Sequence, residues 1–277
     1  MIHSDGRFKG ACDVDIYYQT WVPEGEIKAA ILLIHGLGEH SGRYLNLVNR
    51  FVALGYSVYA VDHIGHGQSE GKRKHVDAFS DFSDTLDIFI ERMKQWHGDQ
   101  PLFILGHSMG GLIAAHYLLH HQSLFAGAIL SAPALKISDG IPQIKIIVGK
   151  FLAKFFPKVG LLPIHPTMIS RDLAVVQAYM DDPLIHKGKT SARLASELVN
   201  AMQRVHDGAA TFTLPMLIIQ GTKDAIVHPQ GSQEFYDGIA SKDKTLKMYE
   251  GLYHEAFNEP EKEQVFNDVE QWLIART

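Results

Sequence analysis

The chain has 277 residues, enough for one large α/β domain or two small ones. Apolar residues make up 46% and charged residues 21%, which excludes an intrinsically disordered chain. The formal net charge of −5, with no block of Lys or Arg, argues against a nucleic-acid partner, and one cysteine, Cys12, can form no internal disulfide and no zinc ribbon.

Met1 to Gly6 lacks the basic-then-apolar pattern of a secretory leader. The longest apolar stretches fall short of the ~20 residues a membrane span requires. The expectation is a cytoplasmic protein, peripheral to membranes at most. A mature chain stripped of its leader would read the same way.

In chain order, Val14 to Trp21 alternates with period two, as a strand with one wet face does, and is expected to pair antiparallel at a sheet edge. Ala29 to Ile34 (AAILLI) is a strand ending in His-Gly-Leu-Gly. Arg43 to Leu54 has helical spacing at Leu47, Val48, Phe51 and Leu54, closed by Gly55. Ser57 to Val61 is a strand ending at Asp62, and Asp81 to Trp96 is a helix with Phe82, Leu86, Phe89, Ile90 and Met93 on one face. Leu102 to Leu105 is a strand, Met109 to His120 a helix, and Ala126 to Leu130 a strand followed by Ser-Ala-Pro. After a break come strands at Met216 to Ile219 and Leu246 to Tyr249, then a helix over Glu261 to Ile274. Nearly continuous apolar strands alternating with helices predict an α/β fold with a mostly parallel sheet covered on both faces.

The break spans residues 135–207, where no βα unit is visible. Ile144, Ile147, Val148, Phe151, Leu152, Phe155 and Phe156 alternate there with Lys145, Lys150, Lys154 and Lys158, and Pro157, Pro163 and Pro166 interrupt the helices. These residues read as an inserted helical cap over the C-terminal ends of the strands, dividing the core into 1–134 and 208–277. Its lysines are placed to face an anionic lipid surface, in transient contact. Most of the apolar residues would pack the cap onto the core.

Gly106-His107-Ser108-Met109-Gly110 matches G-x-S-x-G. The bare pattern is common, but here it follows a strand and opens a helix, as a nucleophile elbow requires. Its glycines let neighbouring backbone pack closely, and the serine stands at a helix N-terminus where N–H groups stabilise negative charge. A serine hydroxyl needs a base, held in turn by a carboxylate. Asp224, just past one late strand, and His254, just past the next, fall on the same sheet edge as Ser108 and keep the order Ser, Asp, His. His228 reads instead as a loop or helix-start residue, and His186 and His206 belong to the cap. Asp62-His63-Ile64-Gly65-His66-Gly67 reads as a structured turn; its two histidines lack a third metal ligand. For the oxyanion hole, one N–H donor is expected from Met109 and the other from Leu37, in the turn His35-Gly36-Leu37-Gly38. The chemistry predicted is ester cleavage without metal or organic cofactor.

Five segments carry a more specific likeness: HGLGEHSGRY (His35 to Tyr44), DHIGHGQSEG (Asp62 to Gly71), GHSMGG (Gly106 to Gly111), DDPLIHKG (Asp181 to Gly188) and LYHEAFNEPE (Leu252 to Glu261). Together they resemble the monoacylglycerol lipase family, from about residue 12 to the C-terminus. GHSMGG occurs widely; HGLGEHSGRY with the Asp-Pro-Leu segment is far more specific. The resemblance implies an α/β-hydrolase fold with a helical cap, a glycerol monoester of a fatty acid as the small-molecule lipid substrate, the triad Ser108, Asp224 and His254, the oxyanion donors Leu37 and Met109, and Tyr179 near the glycerol end. The chain departs from mammalian members at Phe257, where they have a histidine, and in lacking their cap cysteines. Lysophospholipase, general carboxylesterase and non-catalytic binding protein are the rival readings.

Overall fold

In the computed structural model, which describes residues 1–137, 148, 151–161 and 165–277, the alternating pattern becomes one eight-stranded sheet. The strands are β1 (Ile2–Lys9), β2 (Asp15–Val22), β3 (Ala29–Ile34), β4 (Tyr56–Val61), β5 (Leu102–His107), β6 (Gly127–Ser131), β7 (Met216–Gly221) and β8 (Lys244–Tyr249). Their order in space is β1-β2-β4-β3-β5-β6-β7-β8. From β4 to β8 every neighbouring pair is parallel; β2 is antiparallel to both β1 and β4.

The helices are α1 (Leu45–Ala53), α2 (Ser80–His97), α3 (Met109–His121), α4 (Leu173–Asp181), α5 (Ala192–Asp207), α6 (Pro229–Gly238) and α7 (Lys262–Ile274), and residues 151–155 are also helical. Strand β3 shows why its sequence is apolar throughout. Ala30, Leu32 and Ile34 point into one core with residues of α2 and α3, while Ala29, Ile31 and Leu33 point into a second core with residues of α1 and α7. The period-two geometry of a strand sends alternate side chains to opposite faces, and helices cover both here.

The fold is the mostly parallel, helix-flanked sheet of α/β-hydrolases. One expectation is corrected: β2 is not the edge strand. β1 lies outside it, in register from Ile2 opposite Val22 to Lys9 opposite Asp15. Only Phe8 of β1 is buried, so this strand rests on backbone hydrogen bonds and carries almost no hydrophobic signal.

Between β6 and β7 no strand of the sheet occurs among the described residues. Ser191 caps α5 by accepting the Leu194 N–H, and Asp172 caps α4 by accepting that of Ala174. Helix α5 buries Leu194, Ala201 and Val205 and packs on α3. The stretch is also tied to the core by polar contacts. The His186 N–H donates to the Gly38 carbonyl at 3.0 Å, Lys74 Nζ to the Gly188 carbonyl at 3.0 Å, and His40 Nε2 meets Asp182 Oδ2 at 2.9 Å. Ile144, Ile147, Lys145, Lys150 and Pro163 lie outside the described residues. Among those described, no helix is long and apolar enough to cross a membrane.

Candidate active site

The tops of β5, β7 and β8 converge on one point. Ser108 joins β5 to α3 at φ 56° and ψ −120°, a conformation non-glycine residues rarely adopt. Its own backbone secures it there: the N–H donates to the Ser131 carbonyl at 2.9 Å, and its carbonyl accepts from Leu112 and Ala134 at 3.1 and 3.0 Å. The flanking glycines let backbone segments touch. A Cβ on Gly110 would lie 2.1 Å from the Ile34 carbonyl oxygen, and one on Gly106 would lie 2.4 Å from that of Gly110.

The hydroxyl of Ser108 lies 2.8 Å from His254 Nε2, and His254 Nδ1 lies 2.7 Å from Asp224 Oδ2. In the resting arrangement the serine donates to Nε2 and the Nδ1–H donates to the carboxylate. The other carboxylate oxygen of Asp224 accepts from the backbone N–H groups of Ile226 and Val227 at 2.8 and 3.1 Å. Gln220, whose amide oxygen accepts from Ser232, donates to Oδ2 at 3.0 Å. Burial opposes ionisation of Asp224, but His254 and these N–H groups hold its carboxyl below the usual range. Burial likewise opposes charging of the His254 ring, yet the Asp224 carboxylate overrides it and raises the ring above an ordinary imidazole.

A cavity of about 20 Å³ adjoins this chain of bonds, with Leu37, Tyr179, Ile169 and Ile226 in its walls. Leu37 follows β3 in the turn that begins with His35 and Gly36. Met109 is the first residue of α3, where a backbone N–H has no partner within the helix, and its side chain is buried in the core. Tyr179, from α4, is buried with the Arg43 guanidinium 4.9 Å from its ring centre, and burial pushes its hydroxyl up to about 12. All six residues singled out from the sequence therefore gather at one end of the sheet.

The competing residues take other places. His228 caps α6, its Nδ1 accepting the Gln230 N–H at 3.1 Å. His206 reaches the Leu135 carbonyl from α5. Asp62 holds its turn together, accepting from Ser41 with one carboxylate oxygen and from the Gln68 N–H with the other. His63 donates to the His35 carbonyl, and no set of three His, Cys, Asp or Glu able to hold a metal occurs among the described residues.

A family model described as "Serine aminopeptidase, S33" matches residues 25–261. The monoacylglycerol lipase of Mycolicibacterium smegmatis is 38% identical over 98% of this chain and 97% of its own length. The chain belongs to the monoacylglycerol lipase family. Homo sapiens monoglyceride lipase is 35% identical over 100% of this chain and 90% of its own. The crystal structure of Paleococcus ferrophilus monoacylglycerol lipase superposes with a TM-score of 0.87 at 32% identity, covering 95% of this chain and 99% of that one. With the monoacylglycerol lipase family the chain falls among the carboxylic ester hydrolases of α/β-hydrolase fold.

Two of the segments that mark the monoacylglycerol lipase family also supply residues whose role the sequence did not disclose. Glu39 and Arg43 follow β3, and Glu255 follows His254; Arg43 Nη1 lies 2.5 Å from Glu39 and 2.7 Å from Glu255. All three line the cavity beside Ser108. Three ionisable residues placed next to glycine turns at strand ends were a visible signal, but nothing in the sequence paired them. Phe257 packs in the core against Phe266, with ring centres 5.3 Å apart.

Proposed function

We propose that this chain hydrolyses monoacylglycerols to glycerol and a free fatty acid, with Ser108 as nucleophile, His254 as general base and acid, and Asp224 as the orienting carboxylate. The observation that carries the reading is the unbroken bonded chain from Ser108 Oγ through the His254 ring to Asp224, in a member of this family.

In the first step His254 Nε2 takes the Ser108 proton as Oγ bonds to the ester carbonyl carbon. Negative charge on the carbonyl oxygen falls on the N–H groups of Leu37 and Met109; one such donor is typically worth ~10²–10³ in rate. The tetrahedral intermediate collapses, the ester C–O bond breaks, and His254 returns the proton to the leaving glycerol oxygen. Water then loses a proton to the same ring and attacks the acyl-enzyme, releasing the fatty acid and restoring Ser108. Asp224 keeps the proton of the ring on Nδ1 and balances the imidazolium charge. Tyr179, in the wall of the cavity, belongs to the leaving-group end.

In this reading residues 135–207 form the cap over the site, with transient membrane-surface contact through the exposed Phe151, Phe155 and Phe156 and the neighbouring Lys154 and Lys158. The protein is then cytoplasmic and peripheral to membranes. Burying an acyl chain gains roughly 0.8 kcal/mol per CH₂, which favours an apolar cap for a fatty ester.

The test is fatty-acid release from monoacylglycerols, diacylglycerols, triacylglycerols, lysophosphatidylcholine and short p-nitrophenyl esters. Monoacylglycerols are expected to turn over best, and Ser108→Ala to lower every rate by at least ~10³. Equal or faster turnover of lysophosphatidylcholine or short esters withdraws the substrate assignment. Undiminished hydrolysis by Ser108→Ala overturns the mechanism.

A further inference from the structure

The cavity wall carries charges that the mechanism above leaves unused. Arg43 sits between two carboxylates: Nη1 contacts Glu39 at 2.5 Å, and Nη1 and Nη2 grip Glu255 in a fork at 2.7 and 2.9 Å. The side chains of Arg43, Glu39 and Glu255 are only 11%, 5% and 7% exposed, so the group is largely buried. Two carboxylates share one guanidinium, which leaves one negative charge without a partner inside the cluster.

Both carboxylates are firmly placed. Glu39 Oε1 accepts from the Gly36 N–H and the Tyr44 hydroxyl, each at 2.6 Å, and Glu255 Oε2 accepts from Asn258 Nδ2 at 2.8 Å. The Glu255 N–H donates to the Ile169 carbonyl at 2.8 Å. Burial works against ionising Glu39, but the Arg43 guanidinium, His107 and His35, with the Tyr44 hydrogen bond, hold it at about 2. Burial is opposed at Glu255 in the same way, chiefly by Arg43, and its carboxyl stays low. A buried charge without a partner is costly. Glu255 adjoins His254 in the chain, and Glu39, Arg43 and Glu255 share one small cavity with Ser108 and the His254 ring.

We propose that Glu39, Arg43 and Glu255 form an electrostatic positioning group for His254: their surplus carboxylate charge stabilises the imidazolium formed when the ring takes the Ser108 proton, and Arg43 ties the turn after β3 to the turn after β8. The proposal rests on the triad reading above. It gives His254 two sources of negative charge, Asp224 from the turn after β7 and the cluster from the turns after β3 and β8. His107 of β5 also lies against the ring, 4.8 Å away centre to centre, and Tyr179 shares the cavity. Burial, and then the charge of His254, lower His107 to about 4, so His107 is neutral wherever His254 works as a base. The Arg43 tie also bears on geometry. One end bonds Glu39, which fixes the Gly36 N–H one residue before Leu37; the other bonds Glu255, one residue after the base.

Glu255→Gln keeps the shape of the side chain and removes its charge, leaving Arg43 balanced by Glu39. The experiment measures kcat and KM across pH on a soluble p-nitrophenyl ester. The expected result is a kcat lowered about tenfold, a KM unchanged within about twofold, and an acid limb displaced downward by about one pH unit. Glu39→Gln, on the other turn, is expected to displace the limb in the same direction and decides the matter if Glu255→Gln does not fold. Arg43→Lys keeps the charge and loses the fork, so it should lower kcat with the limb in place. Acid limbs of both glutamine variants coinciding with wild type overturn the proposal, as does a raised KM at unchanged kcat. Covalent labelling by a fluorophosphonate that persists in Ser108→Ala would instead overturn the triad reading, so the two failures are distinguishable.

Discussion

At His254 burial and charge act in opposite directions, and charge wins: the ring is raised above the ordinary imidazole value near 6.5. In its proposed role as base the ring must be neutral to accept the Ser108 proton, so activity should fall as pH drops through that raised value. The acid limb of kcat/KM on a soluble ester is therefore expected at a midpoint above about 6.5. A midpoint below about 6 would contradict the charge balance described around the ring. Ser108, Asp224 and His254 were legible as candidates because each follows a recognisable strand, in an order that puts all three on one sheet edge. Glu39, Arg43 and Glu255 were visible only as family-like segments. Arg43 and Glu255 are 212 residues apart in the chain, and no local pattern connects a guanidinium to a carboxylate at that distance.

At the scale of elements, the approach of α3 to β3 decides whether the Ser108 turn can exist. Gly110 leaves room for the Ile34 and His35 carbonyl oxygens, which a Cβ would meet at 2.1 and 2.5 Å. Both obstacles are backbone atoms, so they cannot rotate away. Gly110→Ala is expected to destabilise the protein by about 1–3 kcal/mol or more, read as a lower urea midpoint at unchanged m-value. Stability equal to wild type would mean that α3 can shift without cost. The strands β3 to β7 were legible because burial on both faces demands unbroken apolar runs. β1 was not: its sequence, IHSDGRFK, is that of a solvent-facing edge, and its pairing with β2 is made by backbone groups common to every residue.

For the whole molecule, the stretch between β6 and β7 brings Tyr179 and Ile169 against the cavity beside Ser108 while leaving a large apolar surface outside. Phe151, Phe155 and Phe156 are each more than half exposed, and the rings of Phe151 and Phe155 meet at a tilt with centres 4.7 Å apart. A fully buried side chain of this kind is worth roughly 1.5–3 kcal/mol. Phe151→Ser together with Phe155→Ser is therefore expected to reduce partition onto anionic phospholipid vesicles by at least about tenfold, measured by co-sedimentation. Absence of wild-type binding to such vesicles would remove membrane contact from the functional reading.

The order of the strands from β2 to β8, the tight turn at Ser108 and the candidacy of Ser108, Asp224 and His254 were legible in the sequence itself. Each is a local matter: apolar periodicity, glycine at crowded turns, and reactive side chains placed directly after strands. The tertiary structure decided which strand forms the edge, how the stretch between β6 and β7 is fastened through Gly38, His40 and Lys74, and that two glutamates meet on one arginine beside the His254 ring. These depend on contacts between groups far apart in the chain, whose energies arise only once the sheet has brought its turns to one end.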